Sequence, residues 1–343
     1  MTDTAAGAQG GTFAAATSGG GLVWGRFRRD WGAMAALIGL ITIVLLCFVG
    51  EPLLERALGH GPDEPFASLV TNNTGTPRAV TWFSHVKTES GTAFLILGGD
   101  GPLQRDELLR LLKGGQISLE IAFIATAIAL LIGVILGTLA GYFGGGVDAV
   151  ISRITELFMA FPLLLLVIAL GQTAAQRFQY VTLHGFFEPG ILALAVVIGL
   201  FSWFYPARVV RTLVVSLREQ EFVEAAHMTG ARDTRIIRRE LLPHLSGPLI
   251  VWATLVSAGV IVLEASLSVL NFGVRLGTPS WGSMLAQAWG TLLNYNPNQG
   301  SLIAGATNEI VRWAPAVLLF LTVLCLALVG DGLRTALDPR SER

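Results

Sequence analysis

Six long apolar runs constrain this chain more than any other feature of its sequence. A helix of about 20 residues is needed to cross the hydrocarbon core of a bilayer. Because a backbone inside lipid must also satisfy its own hydrogen bonds, each run is predicted to be a transmembrane helix. The sequence therefore predicts an all-α membrane protein with six transmembrane helices. The runs lie at about residues 33–50, 117–142, 154–172, 190–210, 248–270 and 313–330.

The composition points to the same class of protein. Of the 343 residues, 52% are hydrophobic and only 14% are charged, whereas a soluble domain carries about 25% charged residues. These values exclude a disordered chain, a nucleic-acid-binding protein and an ordinary cytosolic enzyme. Cys47 and Cys325 both lie in apolar runs, and no Cys/His cluster has the spacing of a metal site.

The positions of the basic residues predict how the helices are oriented. With the N-terminus in the cytoplasm, the inner segments hold fourteen of the 23 Lys and Arg residues. Six of the nine outer ones lie in a single loop of over 60 residues, and loops of that length count little toward orientation. The two short outer loops carry only Arg177, Arg275 and Arg312. Since the number of spans is even, the C-terminus is also predicted to be cytoplasmic.

The chain is divided at the ends of these runs. Residues 1–25, rich in Ala, Gly and Thr, are predicted to be a disordered cytoplasmic tail. The first transmembrane helix is assigned to residues 26–50, an extracytoplasmic loop to 51–116 and a core domain of five further helices to 117–343. The loop ends in QRDELLRLLKGG, the pattern of a short amphipathic helix. This helix either lies on the outer membrane face or caps the bundle, or it handles substrate.

The segment between the fourth and fifth runs is rich in charge and in helix-end signals. Ser216 and Glu219 fit a capping box, which predicts that a helix follows. Gly230 is placed to end this helix with a positive φ, and Asp233 or the residue after it can begin a second helix. Pro243 is predicted to limit the second helix and to start the entry to the fifth span. The segment comprises residues 211–247 and reads RTLVVSLREQEFVEAAHMTGARDTRIIRRELLPHLSG.

The first helix of this segment has one face of small, mostly apolar residues. Small residues allow the walls of a partner to come close, and flanking charges set its register. The pattern therefore predicts a helical hairpin that docks to another cytoplasmic protein. The alternative is a charged amphipathic loop that lies on anionic lipid. Met228 is interpreted as ordinary helix packing. The face comprises Phe222, Ala225, Ala226 and Thr229, with Glu224 at its edge.

This segment resembles the EAA loop of the permease subunits of binding-protein-dependent ABC importers. In that family the motif is Glu-Ala-Ala, three residues, Gly, and then an Ile/Leu-Leu-Pro ending. The likeness is greatest to the second permease of dipeptide, oligopeptide and nickel systems. Glu240 and His244 differ from that family, in which His and Asn are frequent at these positions. The matching residues are Glu224, Ala225, Ala226, Gly230, Leu241, Leu242 and Pro243.

Further stretches extend the resemblance to about residues 94–343. The stretch GGDGPLQRD before the second run departs from the family's Gly-Thr-Asp and Gly-Arg-Asp pattern. No match is assigned to residues 51–105 or 294–309. The matching stretches are GQISL at 115–119, AGYFGG at 140–145, AFP at 160–162, LEASLSVLNFGV at 263–274, TPSWGSML at 278–285 and GDGLRTALDPR at 330–340.

The resemblance implies the fold of a type I ABC importer transmembrane domain, with both termini cytoplasmic and the chain in the inner (plasma) membrane. It implies that the loop contains a coupling helix which inserts into a cleft of a cytoplasmic ATPase, with His227 placed to touch it. The chain would form half of a pore, for di- or oligopeptides, with a second homologous permease subunit. Two P-loop ATPase subunits and an extracytoplasmic substrate-binding protein are the other expected partners. ATP binding would shift the permease between two states.

No catalytic or cofactor site is expected in this chain. The sequence contains no GxxxxGK[ST] motif, so ATP and Mg²⁺ are expected in the ATPase subunits. Among intramembrane ionisable residues, Glu264 is either a pore or substrate-contacting group or a structural carboxylate bonded to a neighbouring helix.

Two other functions compete with the importer. An ion-coupled secondary transporter of small solutes would show inverted repeats and helices broken in mid-membrane, and no repeat relates 33–172 to 190–330. A membrane-embedded enzyme such as a peptidase would need paired Asp, His or Ser residues inside the spans, and HExxH and paired intramembrane Asp are absent.

Overall fold

The computed structural model shows a mainly helical chain with thirteen α-helices, two π-helical segments (Leu46–Gly50 and Ile236–Leu241) and four short strands in the described residues. It describes residues 20–66, 82–88, 91–100, 105–178, 190–275, 277–293 and 309–337. The helices are α1 (Gly20–Phe27), α2 (Trp31–Leu45), α3 (Glu51–Leu58), α4 (Glu107–Phe143), α5 (Gly145–Ala160), α6 (Leu163–Phe178), α7 (Ile191–Leu200), α8 (Phe204–Arg218), α9 (Glu221–Met228), α10 (Asp233–Arg235), α11 (Leu242–Val269), α12 (Trp281–Leu293) and α13 (Glu309–Leu337).

Helices long and apolar enough to cross a membrane dominate the fold. In the part of the chain that the structure describes, four continuous ones meet that criterion, and two bent helix pairs raise the number to six if each pair is one span. This agrees with the six apolar runs of the sequence. The continuous helices cover Trp31–Leu58, Glu107–Phe143, Asp233–Val269 and Trp313–Leu337.

Two of the continuous helices extend beyond their apolar runs. The amphipathic pattern before residue 117 does not form a separate helix, because α4 begins at Glu107 and runs unbroken to Phe143. Asp106 caps this helix by accepting a hydrogen bond from the Leu109 amide at 3.0 Å. Leu109 and Arg110 are fully buried, so the first turns of α4 are packed against protein rather than lying on a membrane face.

The helix that contains the fifth run begins well before residue 248. It passes from α10 through a π-helical segment, Ile236–Leu241, into α11. Pro243 lies in the first turn of α11, where a missing amide proton costs little, so it starts the entry to the fifth span as predicted. Contrary to the prediction, it does not separate the two helices, which run on from Asp233 to Val269. The His244 ring Nδ1 donates a hydrogen bond to the Glu240 carbonyl oxygen at 2.5 Å.

The third and fourth runs are bent spans. The chain turns by 85° between α5 and α6, at Phe161 and Pro162. It turns by 43° between α7 and α8, at residues 201–203. The first bend follows from Pro162, since proline biases the residue before it away from the helical region. Phe161 has an extended backbone, with φ −96° and ψ 133°.

Helix α4 is the centre of the bundle and packs closely on α8. Gly133, Gly137 and Gly141 recur every four residues on the face toward α8. A Cβ atom at Gly137 would lie 2.5 Å from the Ala207 carbonyl oxygen, which leaves no room for a larger residue. Small residues at this spacing allow membrane helices to approach backbone to backbone.

The region predicted as an outer loop contains two small antiparallel sheets. Strands β1 (Ser84–Thr88) and β2 (Gly91–Leu95) form an antiparallel hairpin, and β3 (Gly99–Asp100) pairs with β4 (Arg105–Asp106). Phe66 packs on the hairpin residues Val86, Ala93 and Leu95. His60 is bonded to Asp106 at 2.9 Å, which joins the end of α3 to the cap of α4.

The predicted disordered tail lies mostly outside the described residues, as do the 294–309 loop up to residue 308 and the end of the C-terminal signature. Residues 20–25 of the tail are helical in α1. Phe27 is buried and packs with Ala33 and Ala336, so α1 lies against the end of α13.

Candidate docking loop and the α4–α11 pair

The docking helix predicted from the sequence is α9, but it begins differently from the prediction. Ser216 lies within α8 rather than at a helix start, so the predicted capping box is wrong. The residue before α9 is Gln220, whose side chain makes no capping hydrogen bond. Helix α9 is held instead by the contacts of its inner face.

Gly230 ends α9 as predicted. Its φ is +76°, a conformation in which side chains other than glycine are strained. The Gly230 amide donates to His227 at 2.9 Å and the Ala231 amide to Ala226 at 3.1 Å. This pair of bonds is a Schellman motif, and it turns the chain back toward α10.

The inner face of α9 is anchored in a hydrophobic cluster at the base of the loop. Val223 is fully buried and packs with Val214, Ile236 and Leu241. Phe222 stacks on His244, with ring centroids 4.9 Å apart. These contacts attach α9 to α8 on one side and to the start of the α11 helix on the other.

Polar contacts fix the same base to α4 and α5. The Tyr142 hydroxyl donates to Asp233 at 2.8 Å, and the Arg218 guanidinium donates to the Tyr142 carbonyl at 3.0 Å. The Arg211 guanidinium donates two hydrogen bonds to the Asp148 carboxylate. The bond from Nη2 to Oδ2 is 2.6 Å long. Such bidentate pairs are geometrically specific, so α8 enters the loop in a defined direction.

The outer side of α9 is exposed. Glu224, Ala225 and Thr229 face outward, and Met228 has 83% of its surface exposed. The interpretation of Met228 as helix packing is therefore wrong. The predicted small-residue face divides in two, because Phe222 and Ala226 pack on the cluster with Val223 whereas Ala225 and Thr229 do not. The exposed surface of α9 therefore includes Met228, whereas Phe222, which was predicted to lie on that surface, is packed against the base of the loop.

Some of the remaining motif residues are exposed, and others are buried at the base of the loop. His227 is exposed and stacks near Tyr142, with ring centroids 6.3 Å apart. Leu241 is fully buried and Leu242 half-buried, whereas Pro243 is exposed. The Leu-Leu-Pro ending therefore belongs to the base of the loop. We call the exposed residues Glu224, Ala225, His227, Met228, Thr229 and Gly230 the tip.

Glu264 lies at the other end of α11 and is fully buried. It accepts hydrogen bonds from Ser268 at 2.8 Å, Ser280 at 2.9 Å and Ser118 at 3.1 Å. We call Glu264 with these three serines the serine node. Both carboxylate oxygens are satisfied by protein donors, which corresponds to the structural alternative for Glu264.

The tip and the serine node are joined by two antiparallel helices, α4 and α11. Three side-chain hydrogen bonds cross between α4 and the helix that contains α11. They are Ser118 to Glu264 at 3.1 Å, Ser257 to Thr126 at 3.0 Å and Tyr142 to Asp233 at 2.8 Å. These bonds lie near the two ends and the middle of the pair, so they oppose sliding of one helix along the other.

A groove runs beside α11, where the two bent spans turn. It has a volume of about 440 Å³ and is lined by α6, α8, α11 and the α7–α8 bend. Among the described residues, none of those lining it is charged. Its polar groups include Ser202, Tyr205, Trp252 and Ser266.

No group of three or more His, Cys, Asp or Glu side chains in the described part of the chain is arranged to hold a metal ion. The loop, the groove and the serine node therefore remain the candidate sites in these residues.

Comparison with known proteins decides the family. Residues 133–343 match the model of the binding-protein-dependent transport system inner membrane component. Residues 18–66 match the N-terminal transmembrane domain of oligopeptide transport permease C. The chain belongs to the first of these families. It is a multi-pass permease of the inner membrane, as the sequence predicted.

Relatives of this permease align along most of its length. It is 32% identical to the dipeptide transport system permease protein DppC of Alkalihalophilus pseudofirmus, over 89% of this chain and 86% of that protein. It is 35% identical to the oligopeptide transport system permease protein OppC of Haemophilus influenzae, over 92% and 86%. A solved MetNI methionine ABC transporter aligns with 66% of this chain and 96% of its own, at 20% identity and a TM-score of 0.48.

Several residues that build the permease's loop were not found from the sequence. Val223, Tyr142 and Asp148 anchor the loop from three different helices. Tyr142 lies in the AGYFGG stretch, whose resemblance to the family does not indicate what the Tyr142 side chain contacts. The separation of 91 residues between Tyr142 and Asp233 leaves no local signal for their contact.

Proposed function

We propose that this chain is one of two permease subunits of an ATP-driven importer of di- or oligopeptides. Each permease subunit forms half of the translocation pore. The relatives named as dipeptide and oligopeptide permeases support this substrate class. An extracytoplasmic binding protein delivers the peptide, in keeping with the binding-protein-dependent family. The chain itself is not catalytic.

Coupling to ATP hydrolysis is assigned to loop 211–247. The observation that carries this proposal is the contrast within α9, where Val223 is fully buried while Met228 is 83% exposed. An anchored helix with an exposed small-residue surface can enter a cleft on another protein without first becoming ordered, which lowers the cost of binding. We therefore assign ATPase contact to Glu224, Ala225, His227 and Gly230, and support of that contact to Ala226, Leu241, Leu242 and Pro243.

Each α9 helix docks on one of two P-loop ATPase subunits, which bind the ATP and Mg²⁺. Closure of the ATPase dimer displaces the tip. The base transmits that displacement to α4 and α11 through the Tyr142–Asp233 bond and the Val223 cluster. A bound nucleotide then shifts the permease between two states, because the two states differ in their contacts with the ATPase.

The groove beside α11 is proposed as this subunit's part of the pore. Its polar groups are neutral hydroxyl, phenol and indole groups on an otherwise apolar wall. Such a wall offers no ion pair to hold a charged peptide, and transport needs binding that is weak enough for release. It therefore suits peptides of varied side chains, with selectivity left to the binding protein.

The alternative of an ion-coupled secondary transporter shares one feature with the structure. Broken helices are typical of such transporters, and two spans are bent here. The match to a binding-protein-dependent family supports the importer, since a secondary transporter needs neither a binding protein nor an ATPase.

The test is peptide uptake by proteoliposomes that contain both permeases and both ATPase subunits, with the loaded binding protein outside. Ala225→Arg places a large charged side chain on the tip and should abolish ATP-dependent uptake. Thr335→Arg is the control, because Thr335 is an exposed residue of α13 at the same end of the molecule and should retain uptake. Unchanged uptake by Ala225→Arg would contradict coupling through the tip, and uptake without ATP would contradict the importer.

A further inference from the structure

The serine node contains the one fully buried acidic side chain of the described α11 residues. A buried carboxylate is costly unless it is paired or hydrogen-bonded. Here three hydroxyls donate to it. Moving any one of these donors away leaves a carboxylate oxygen with fewer hydrogen bonds in an apolar interior, so the node favours a single arrangement of the segments that meet in it.

Those segments are α4, α11 and the start of α12. Ser280 precedes α12 and exchanges hydrogen bonds with Ser283, at 2.8 Å from the Ser280 amide and 3.0 Å from the Ser283 amide. The Ser280 hydroxyl therefore caps α12 by accepting from Ser283 while it donates to Glu264. A capped helix start is fixed in direction, so the position of Glu264 determines where α12 begins.

Trp281, the first residue of α12, adds two hydrogen bonds between α12 and α4. Its amide donates to the Ser118 hydroxyl at 3.3 Å, and its indole nitrogen donates to the Leu111 carbonyl at 3.0 Å. The ring is fully buried against Gly115, where a Cβ atom would lie 2.5 Å from the ring. The chain from Trp281 through Ser118 to Glu264 thus joins α12 to both helices of the α4–α11 pair.

Glu264 is not among the residues that line the groove, although Leu263 and Ser266 of the same helix are. Its hydrogen-bond partners are all at least 95% buried. A group enclosed in this way does not meet a solute that passes along the groove.

We propose that Glu264 is a positioning residue that holds α12 against the α4–α11 pair and so shapes the end of the permease opposite loop 211–247. This rests on the proposed function in one respect, namely that the binding protein delivers peptide at that end. With the node intact, α12 moves as one body with α4 and α11. Without it, α12 separates from Ser118 and the delivery surface changes shape.

The first test measures the position of α12 in the permease alone, in nanodiscs. Gly114→Cys and Met284→Cys are introduced into a background with Cys47→Ala and Cys325→Ala, because a Cβ atom at Gly114 would lie 3.3 Å from the Met284 sulfur. Disulfide formation between them should slow by about tenfold in Glu264→Leu, because the three serine hydroxyls then lose their buried acceptor. Glu264→Gln should stay within about threefold of the wild type, since an amide can accept and donate in the same place.

Ser280→Ala and Ser266→Ala form a matched pair that keeps the test decisive if Glu264→Leu does not fold. The Ser280 hydroxyl bonds Glu264, whereas the Ser266 hydroxyl bonds the Val262 carbonyl of its own helix. Slower cross-linking is expected only in Ser280→Ala. Equal rates in both variants would overturn the proposal.

The second test measures uptake as a function of the concentration of loaded binding protein. Glu264→Leu and Ser280→Ala should raise KM by about five- to tenfold with little change in kcat, and Glu264→Gln should largely restore the wild-type KM. A fall in kcat with unchanged KM and unchanged cross-linking would assign Glu264 to the pore and overturn the proposal. Absence of uptake by the wild type, with the expected cross-linking pattern, would contradict the proposed function but not the role of Glu264 in placing α12.

Discussion

At one end of the α4–α11 pair a carboxylate is enclosed by three serine hydroxyls, whereas at the other end charged and apolar side chains of α9 face outward. Glu264 is fully buried, and both of its oxygens accept hydrogen bonds. Met228 is 83% exposed, and Glu224 and Ala225 beside it are exposed as well.

The difference separates residues that set a position from residues that are available to a partner. A buried polar group must be satisfied within the molecule, so it holds neighbouring elements in one arrangement. An exposed apolar residue on an anchored helix contributes little to folding and is available for binding. The two ends are nevertheless parts of one body, because hydrogen bonds cross the pair at Ser257 and Tyr142 as well as at Ser118.

The largest effect is expected where α4 packs on α8 between the two ends. Gly137→Leu would force the helices apart, since a Cβ atom at this position lies 2.5 Å from the Ala207 carbonyl oxygen. Overpacking of this kind should cost about 3 kcal/mol or more, seen as a lower melting temperature and loss of monodisperse protein in detergent. Gly146→Leu is the control, because nothing lies within 4 Å of a Cβ atom there. Equal stability of the two variants would show that the α4–α8 contact does not hold the body together.

The same substitution at each end sharpens the comparison directly. Met284→Ala, at a residue only 3% exposed beside the serine node, should lower the free energy of unfolding by about 2–4 kcal/mol. Met228→Ala, at the tip, should change it by less than about 0.5 kcal/mol. Thermal unfolding of both variants in the same detergent measures the two losses of stability, and their ratio compares the two ends. Comparable destabilisation by the two would mean that the tip is part of the packed core.

A smaller effect is expected from the ion pair that directs α8 into the loop. Asp148→Asn weakens the bidentate contact with Arg211 and should cost about 1 kcal/mol, since both side chains are partly exposed. The double variant Asp148→Arg/Arg211→Asp should recover part of that loss. Chemical denaturation of the wild type, Asp148→Arg, Arg211→Asp and the double variant gives the coupling energy. A coupling energy of zero would remove this pair from the anchors of the loop.

The spans and the loop could be predicted from the sequence because they depend on local pattern. Apolar runs locate the helices, and Gly230 has the positive φ that a helix end requires. The division of α9 into inner and outer faces was only partly predictable. Phe222 and Met228 are both apolar, and which of them is buried depends on His244 and the other residues packed against the inner face.

Long-range contacts account for most of what the sequence did not predict. Glu264 is conspicuous as an acidic residue in an apolar run, but its partner Ser118 is 146 residues away and serine is common in membrane helices. The continuation of the helix through Pro243 depends on a π turn, for which there was no sequence signal. The break at Phe161–Pro162 did have a sequence signal, because a proline lies in the middle of the apolar run.

The central claim is that the tip touches the ATPase while the rest of that end does not. The direct measurement is cross-linking in the assembled complex, with Met228→Cys in a permease that carries Cys47→Ala and Cys325→Ala. A short thiol- and amine-reactive reagent should join Met228→Cys to the ATPase subunit in high yield. Thr335→Cys, exposed on α13 at the same end, should give little product. Equal yields at the two positions, or none at position 228, would contradict the account.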